Sequence, residues 1–422
     1  MKLRSTSGHG GIFSFAEAVE RGIAEDGGLF MPVSITRFGD DFFVSIGSLS
    51  FVEIAFRVAG LLLEGEIPDP DLRTIVEESM TFPAPLHELD NQTSLLELFH
   101  GPTLAFKDFG ARFMAKTMEY LHRNDSREAT VLVATSGDTG SAVAHGFHNV
   151  KGIRVCLLYP SGRVSTTQEQ QLTTVGGNTT ALEVDGSFDD CQRLVKQAFA
   201  DKDLAGRLNL TSANSINIAR LLPQTFYYFH AFACRQNSAL PVVFSVPSGN
   251  LGNLTAGLVA WKMGLPAERF VAATNANDVF TRFLGTGEFK PGRSVATLSN
   301  AMDVGNPSNF VRISHLFDGK LDSMRRILSS ATFTDSQTKN CITDVYDQYG
   351  YILDPHGAVG VLAMDAFRIR EKRTVQGIVL ETAHPAKFLE VYDERIRQVI
   401  SVPERLRAAL EKKKISVSIS SR

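Results

Sequence analysis

The chain reads as an α/β protein: a mostly parallel sheet with helices on both faces, preceded by a mainly helical segment. Two observations predict this. From Asn91 onward, short apolar runs rich in β-forming residues alternate with stretches of helical period, as they do where parallel strands are joined by helical crossovers. Twice, a β-like run ends in a glycine-rich turn that opens straight into a helix, at Thr135 to Gly140 and at Ser248 to Asn253.

Up to about Pro85, apolar residues keep helical spacing, in Phe15-Ala16-Glu17-Ala18-Val19 and from Phe51 to Leu63. Pro68, Pro70, Pro83 and Pro85 then punctuate the chain and mark a boundary. A helix is expected from Phe109 to Arg123, where Phe113, Met114, Thr117, Met118 and Leu121 recur at helical spacing and Asp108 is placed to cap it. Strands are expected at Thr130 to Ala134, Arg154 to Tyr159, Thr180 to Val184, Pro241 to Val246, Phe270 to Thr274 and Gly377 to Leu380. Helices fit Ser141 to His148, Phe188 to Phe199, Asn217 to Ala233, Leu254 to Met263 and Gly357 to Arg370. After Pro403 the chain is charged from Glu404 to Lys414 and then serine-rich, which predicts a terminal helix with a frayed end.

A chain of 422 residues exceeds one simple core and predicts two or three domains. Its net charge is −3 and it has no basic stripe, which argues against nucleic acid or an anionic membrane surface as partner. Cys156, Cys191, Cys234 and Cys341 lie far apart without a CxxC pair, so neither a zinc site nor a disulfide framework is expected. The N-terminal residues lack an apolar signal core, and no apolar run reaches membrane-spanning length. A cytoplasmic protein is expected.

Lys107, in His100-Gly101-Pro102-Thr103-Leu104-Ala105-Phe106-Lys107-Asp108-Phe109-Gly110, is the residue most suggestive of chemistry. An amine at a helix N-terminus between aromatic rings is pushed toward its neutral, nucleophilic form, the form that makes a Schiff base with a carbonyl. Taken alone, such a lysine is most often a surface residue. The turn Ser248-Gly249-Asn250-Leu251-Gly252-Asn253 shifts that balance, because its backbone N–H groups and the following helix N-terminus favour an anion. It lacks the third glycine of the dinucleotide fingerprint and the Gly-Lys-Ser/Thr of a nucleotide-binding loop, so a small phosphate monoester fits better. The turn at Thr135 has the same context, so two anions are expected near one amine.

These residues resemble the threonine synthases, the longer bacterial and fungal group within the fold-type-II pyridoxal phosphate enzymes. The resemblance spans nearly the whole chain: Asp26 to Pro32, His100 to Gly110, Thr135 to Gly140, Ser212 to Arg220, Ser248 to Asn253, Thr297 to Asp303 and Thr382 to Phe388. It implies a tryptophan synthase β-like fold of two open, twisted, mostly parallel sheets. Residues 1–85 would form an N-terminal domain, 86–400 the catalytic region with a smaller subdomain at roughly 105–215, and 401–422 a tail. It also implies the reaction of O-phospho-L-homoserine and water to L-threonine and phosphate, with pyridoxal 5′-phosphate held on Lys107 as a Schiff base. By the same resemblance Gly249, Asn250, Leu251, Gly252 and Asn253 hold the cofactor phosphate, and Thr382 meets the pyridine nitrogen. Ser136, Gly137, Asp138 and Thr139 receive the substrate carboxylate. Asn214, Ser215 and Arg220 take the substrate phosphate, with Asn217 expected to converge on it and Arg163 a weaker candidate. His384 reads as a structural histidine and Asp303 as a loop anchor, while Lys387 is placed equally well near the site or in solvent. The chain is expected to act as a monomer or weak homodimer. A phospho-lyase releasing 2-oxobutyrate would share the lysine and both turns, whereas a non-catalytic scaffold would be expected to have lost one of them.

Overall fold

Two sheets carry the molecule in the computed structural model, which describes residues 1–125, 127–235 and 239–421. The larger has six strands in the spatial order Leu328–Thr332, Ala267–Thr274, Val242–Pro247, Gln376–Glu381, Thr93–Glu97 and Leu86–Glu88. All pair in parallel except the edge strand Leu86–Glu88, which runs antiparallel to its neighbour. The smaller is parallel throughout, in the order Val417–Ser420, Thr179–Asp185, Ile153–Pro160, Ala129–Ala134 and Leu210–Thr211. Every residue of Val242–Pro247 and Gln376–Glu381 is buried. Helices cover both faces, so these strands show no alternation of buried and exposed residues.

All six expected strands form, each within a few residues of its expected ends. The departures have identifiable causes. The helix expected from Asn217 to Ala233 is two, Ile218–Leu221 and Gln224–Cys234, because Pro223 has no N–H to continue the first. The serine-rich end does not fray: Val417–Ser420 adds an edge strand to the smaller sheet, and Lys414 pairs with Glu169 at 2.7 Å and Glu183 at 2.8 Å. The N-terminal part contains a short antiparallel pair, Leu3–Ser5 with Phe30–Pro32, besides its helices. Asp108 is no cap; the helix Lys107–Leu121 begins at the lysine itself.

The N-terminal helices share their core with the rest of the chain. Ile54, Val58 and Leu72 belong to one apolar cluster with Phe113, Phe226 and Phe244, and Phe51 and Phe82 lie 5.8 and 4.7 Å from the ring of Phe109. The turns that leave Ala129–Ala134, Val242–Pro247 and Gln376–Glu381 all lie at the carboxyl ends of parallel strands, where open α/β sheets bind ligands.

Gly257 in the helix Gly252–Lys262 lets that helix approach the larger sheet: a Cβ there would stand 2.7 Å from the Phe270 ring and 2.8 Å from that of Tyr228. Glycine to alanine ordinarily strengthens a helix by about 1 kcal/mol. Here Gly257→Ala should instead destabilise by about 1–3 kcal/mol through overpacking, read as a lower urea midpoint. A higher midpoint would show that both rings give way.

Candidate active site

The segment before Lys107 is tied to the segment after strand Gln376–Glu381. Leu104 adopts a left-handed conformation, φ 60°. Its carbonyl accepts the N–H of His384 at 3.1 Å, and the N–H of Phe106 donates to the Thr382 carbonyl at 2.9 Å. Lys107 therefore leaves its helix beside Thr382. Asp108 accepts the N–H and hydroxyl of Thr103 at 2.8 and 2.7 Å, which closes the loop, and Gly101 provides the room since a Cβ there would meet Asp108 at 2.4 Å. Burial pushes the Asp108 carboxyl up to about 6 against those hydrogen bonds.

The Lys107 amine lies 3.9 Å from Asp138. Burial depresses its pKa; Asp138 opposes this, while Lys387 and Arg220 push the same way. Lys387 is fully buried, donating to Asp138 at 2.7 Å and to the Thr103 carbonyl at 3.1 Å. Its placement is thereby decided in favour of the site. Gln168 donates a further bond to Asp138 at 2.9 Å. Burial alone would raise the Asp138 carboxyl, yet Lys387 and Lys107 hold it well below the usual carboxylate range.

The turn at Thr135 is only partly open to a ligand. The Thr135 hydroxyl accepts the N–H groups of Gly137 at 3.0 Å and Gly140 at 2.8 Å, so these two do not face an anion. Gly137 has φ 139°, and a Cβ there would sit 2.5 Å from the Gln168 side chain. Ser136 is exposed, Asp138 buried, and Thr139 half-buried.

At Ser248 to Asn253 the geometry is that of an anion cradle. Leu251 is left-handed at φ 60° and buried, so it serves through its backbone. A Cβ on Gly249 would stand 2.7 Å from the Met302 Cα. The Asn253 side-chain oxygen Oδ1 accepts the hydroxyls of Tyr227 and Tyr228 at 2.7 and 2.8 Å, while its buried Nδ2 has no partner. A buried amide with an unspent donor at the N-terminus of an eleven-residue helix fits a phosphate. Asn250 is engaged differently: it donates to the Ser215 hydroxyl at 2.6 Å and accepts the Ser308 N–H at 2.6 Å. The two segments expected to hold separate phosphates are thus hydrogen-bonded to each other.

Arg220 is buried against the Lys107 helix, where Gly110 leaves its space: a Cβ there would lie 2.6 Å from the Arg220 carbonyl and 3.1 Å from its Nε. Lys107 and Gly110, three residues apart, share a helix face. One Arg220 nitrogen donates to the Ala213 carbonyl at 2.5 Å and its Nε has no partner. Burial lowers its pKa to about 10, Asp108 offsetting part of the shift. Asn214 is half-buried next to Ser215. Asn217 does not converge with them, because its amide donates to the carbonyls of Val19 at 2.9 Å and Ser212 at 3.0 Å. Arg163 is exposed. The His384 ring accepts the Ala386 N–H at 3.1 Å, and burial lowers its pKa to about 4. Asp303 anchors its loop through Thr297, Asn275 and Asn277.

Sequence reasoning missed Arg312. Fully buried, it donates to the carbonyls of Phe30 and Ile216 at 3.2 and 2.6 Å and to Asn309 at 2.8 Å, with no paired carboxylate among the described residues. Asn309 in turn donates to the Asn250 carbonyl at 3.0 Å. Nothing in its own neighbourhood of the chain distinguishes Arg312 from a surface arginine on a short helix.

The family model described as "Pyridoxal-phosphate dependent enzyme" matches residues 80–380. Fold and site together thus define a pyridoxal-phosphate-dependent enzyme of fold type II. The models for the threonine synthase N terminus and C-terminal part match residues 2–80 and 357–421. The chain is 44% identical over 407 residues to the threonine synthase of Serratia marcescens, covering 96% of this chain and 93% of that protein. The crystal structure of threonine synthase from Escherichia coli superposes with a TM-score of 0.91 at 42% identity, over 100% of this chain and 97% of that one. The "PLP bound" threonine synthase from Brucella melitensis does so with a TM-score of 0.93 at 36% identity, again over 100% and 97%. The chain belongs to the threonine synthase family.

Removing one partner from the buried Lys387–Asp138 pair strands the other. Lys387→Met should lower stability by about 3–5 kcal/mol, and adding Asp138→Asn should recover part of that loss; strictly additive losses in denaturant midpoint would deny the coupling. Because the Asp138 pKa in the folded protein lies below the ordinary 3.8, its contribution to stability is present above pH 3.8 and is lost as pH falls from there through the folded-state pKa.

Proposed function

We propose that the chain converts O-phospho-L-homoserine and water to L-threonine and inorganic phosphate, using pyridoxal 5′-phosphate held at Lys107. The observation that carries this is the depressed Lys107 amine beside Asp138 and Lys387, at one end of a site whose other end is the Asn253 anion cradle. When bound, pyridoxal phosphate supplies an electron sink that allows protons to leave carbon and the γ-phosphate to depart.

The protein's part is binding, orientation and proton movement. Lys107 anchors the cofactor and, once free, moves protons on one face of the substrate; burial lowers its pKa, which makes the neutral form a base requires easier to reach. Asp138, held by Lys387, fixes the amine's position. The N–H groups of Gly249, Asn250, Leu251, Gly252 and Asn253, with the Asn253 amide, hold the cofactor phosphate. Thr382 offers a neutral hydroxyl to the ring nitrogen. Ser136, Gly137, Asp138 and Thr139 form the wall that receives the substrate carboxylate, through the groups Thr135 does not occupy. Asn214, Ser215 and Arg220 take the substrate phosphate, with the unspent Arg220 Nε as donor. Buried Lys387, Arg220 and Arg312 outnumber the carboxylates of Asp138 and Asp108 among these residues, a balance that suits anionic ligands.

The same reading makes the chain a cytoplasmic enzyme acting as a monomer or weak homodimer, without nucleic-acid or membrane partners. The net charge of −3 argues against a nucleic-acid partner, and among the described residues no helix is long and apolar enough to cross a membrane.

Lys107→Ala should abolish threonine formation and the visible absorbance of the bound cofactor while the protein stays folded. Robust turnover by that variant sinks the assignment, and 2-oxobutyrate in place of threonine from the unmodified enzyme would make it a phospho-lyase. Arg220→Ala should lower kcat/KM for phosphohomoserine by about 1.5 to 3.5 decades, the equivalent of about 2–5 kcal/mol, yet keep the protein yellow. Loss of cofactor in that variant would mean that the two phosphate sites are exchanged.

A further inference from the structure

Asp354 and His356, in the turn that opens the helix Pro355–Glu371, have no role in the site as described, yet both are almost completely buried, at 0% and 2% exposure. One Asp354 oxygen accepts the His356 backbone N–H at 2.7 Å and lies 2.5 Å from the ring Nδ1. The other accepts the Ala383 N–H at 3.2 Å. On the far side of the ring, Nε2 lies 3.2 Å from the Ala301 backbone N–H. An amide can only donate, so Nε2 is the acceptor and the ring proton sits on Nδ1, directed at Asp354. The Phe388 ring packs edge-on against the imidazole at 5.2 Å and fixes its plane.

What lies at the two ends of this chain gives it meaning. Ala301 and Met302 form the surface on which the Gly249 turn rests, for a Cβ on Gly249 would stand 3.0 Å from the Ala301 carbonyl and 2.7 Å from the Met302 Cα. Ala383 follows Thr382, whose carbonyl holds the Phe106 N–H one residue before Lys107. Glu381, just before Thr382, is buried as well; its carboxyl occupies the space a Gly357 side chain would need, and it accepts the Asp354 N–H at 3.3 Å. Every polar atom of the Asp354 and His356 side chains that faces these segments is thus committed, and the two residues bridge the Asn300–Met302 turn and the end of strand Gln376–Glu381, which are not adjacent in sequence.

We propose that Asp354 and His356 form a positioning pair that sets the separation between the phosphate turn at Gly249 and the Thr382 side of the site, so that one cofactor reaches both and Lys107 together. This rests on the functional reading above, because it assigns the two ends to the two poles of one ligand. His356 touches neither cofactor nor substrate in this scheme. Its imidazole donates toward Thr382 and accepts from the phosphate side, so each direction can be removed separately.

The test is a titration of apoprotein with pyridoxal 5′-phosphate, followed by visible absorbance and fluorescence, for the unmodified chain, His356→Asn and His356→Gln. Asparagine places an N–H near the position of Nδ1 but cannot reach Ala301; glutamine places its oxygen near Nε2 but offers no donor to Asp354. His356→Asn should therefore weaken cofactor binding about tenfold or more, the cost of leaving the Ala301 amide unpaired, with an unshifted absorbance maximum. His356→Gln should bind within about threefold of the unmodified chain, with a shifted maximum and a reduced kcat at unchanged KM. Equal affinity and equal spectra for all three proteins overturn the proposal, as does the reverse ranking. Should His356→Asn not fold, Ala301→Pro removes the same N–H without touching the ring, and unchanged cofactor affinity in that variant overturns the proposal as well. An unmodified chain that fails to bind the cofactor sinks the functional reading itself, a result distinct from any ranking of the variants.

Discussion

The Asp138 carboxylate joins the two sheets at the site. It sits at the end of strand Ala129–Ala134 of the smaller sheet, while Lys387 follows strand Gln376–Glu381 of the larger, and the two meet at 2.7 Å with both side chains buried. Burying a charge costs several kcal/mol unless its partners are well placed. Here the carboxylate has Lys387, Gln168 and the more distant Lys107, and Lys387 has the Thr103 carbonyl as well. Neither sheet could be displaced across the cleft without stranding a charge. The ion pair thus holds the Lys107 amine at a fixed place between the two halves.

Around that pair, backbone geometry does much of the positioning. Leu104 and Leu251 both adopt left-handed conformations, which cost a non-glycine residue about 1–3 kcal/mol each and persist where the surroundings over-determine them. Both are buried, Leu104 beside Ala386 and Leu406 and Leu251 in the main core. In each case the apolar side chain is anchored while the backbone turns toward the site. Glycines at 101, 110, 137 and 249 stand where another chain segment occupies the position of a Cβ.

The electrostatics follow from the same packing. Arg312 donates to the carbonyls of Phe30 in the N-terminal segment and of Ile216, so one buried guanidinium ties two distant parts of the chain to its own helix. Arg220 lies against the Lys107 helix with its Nε unspent. Burial depresses the amine of Lys107, and the nearby cations Lys387 and Arg220 add to that shift against the opposing pull of Asp138, which converts packing into reactivity.

The amino-acid order alone determined the α/β class, the six central strands, the lysine at a helix start and the glycine-rich turns, because period, propensity and turn chemistry act over a few residues. Long-range partners were beyond its reach. Whether Lys387 faced solvent or site depended on Asp138, 249 residues away in the chain. Asn217 was spent on Val19, and Asp108 on Thr103 in place of a helix end, since each side chain bonds whichever group the fold brings nearest. The serine-rich terminus became a strand because an open parallel edge at Thr179–Asp185 offered its hydrogen bonds. Arg312, Asp354 and His356 carried no local signal at all. Their significance comes from burial beside segments remote in sequence, and burial of that kind is decided only when the sheets and helices have packed.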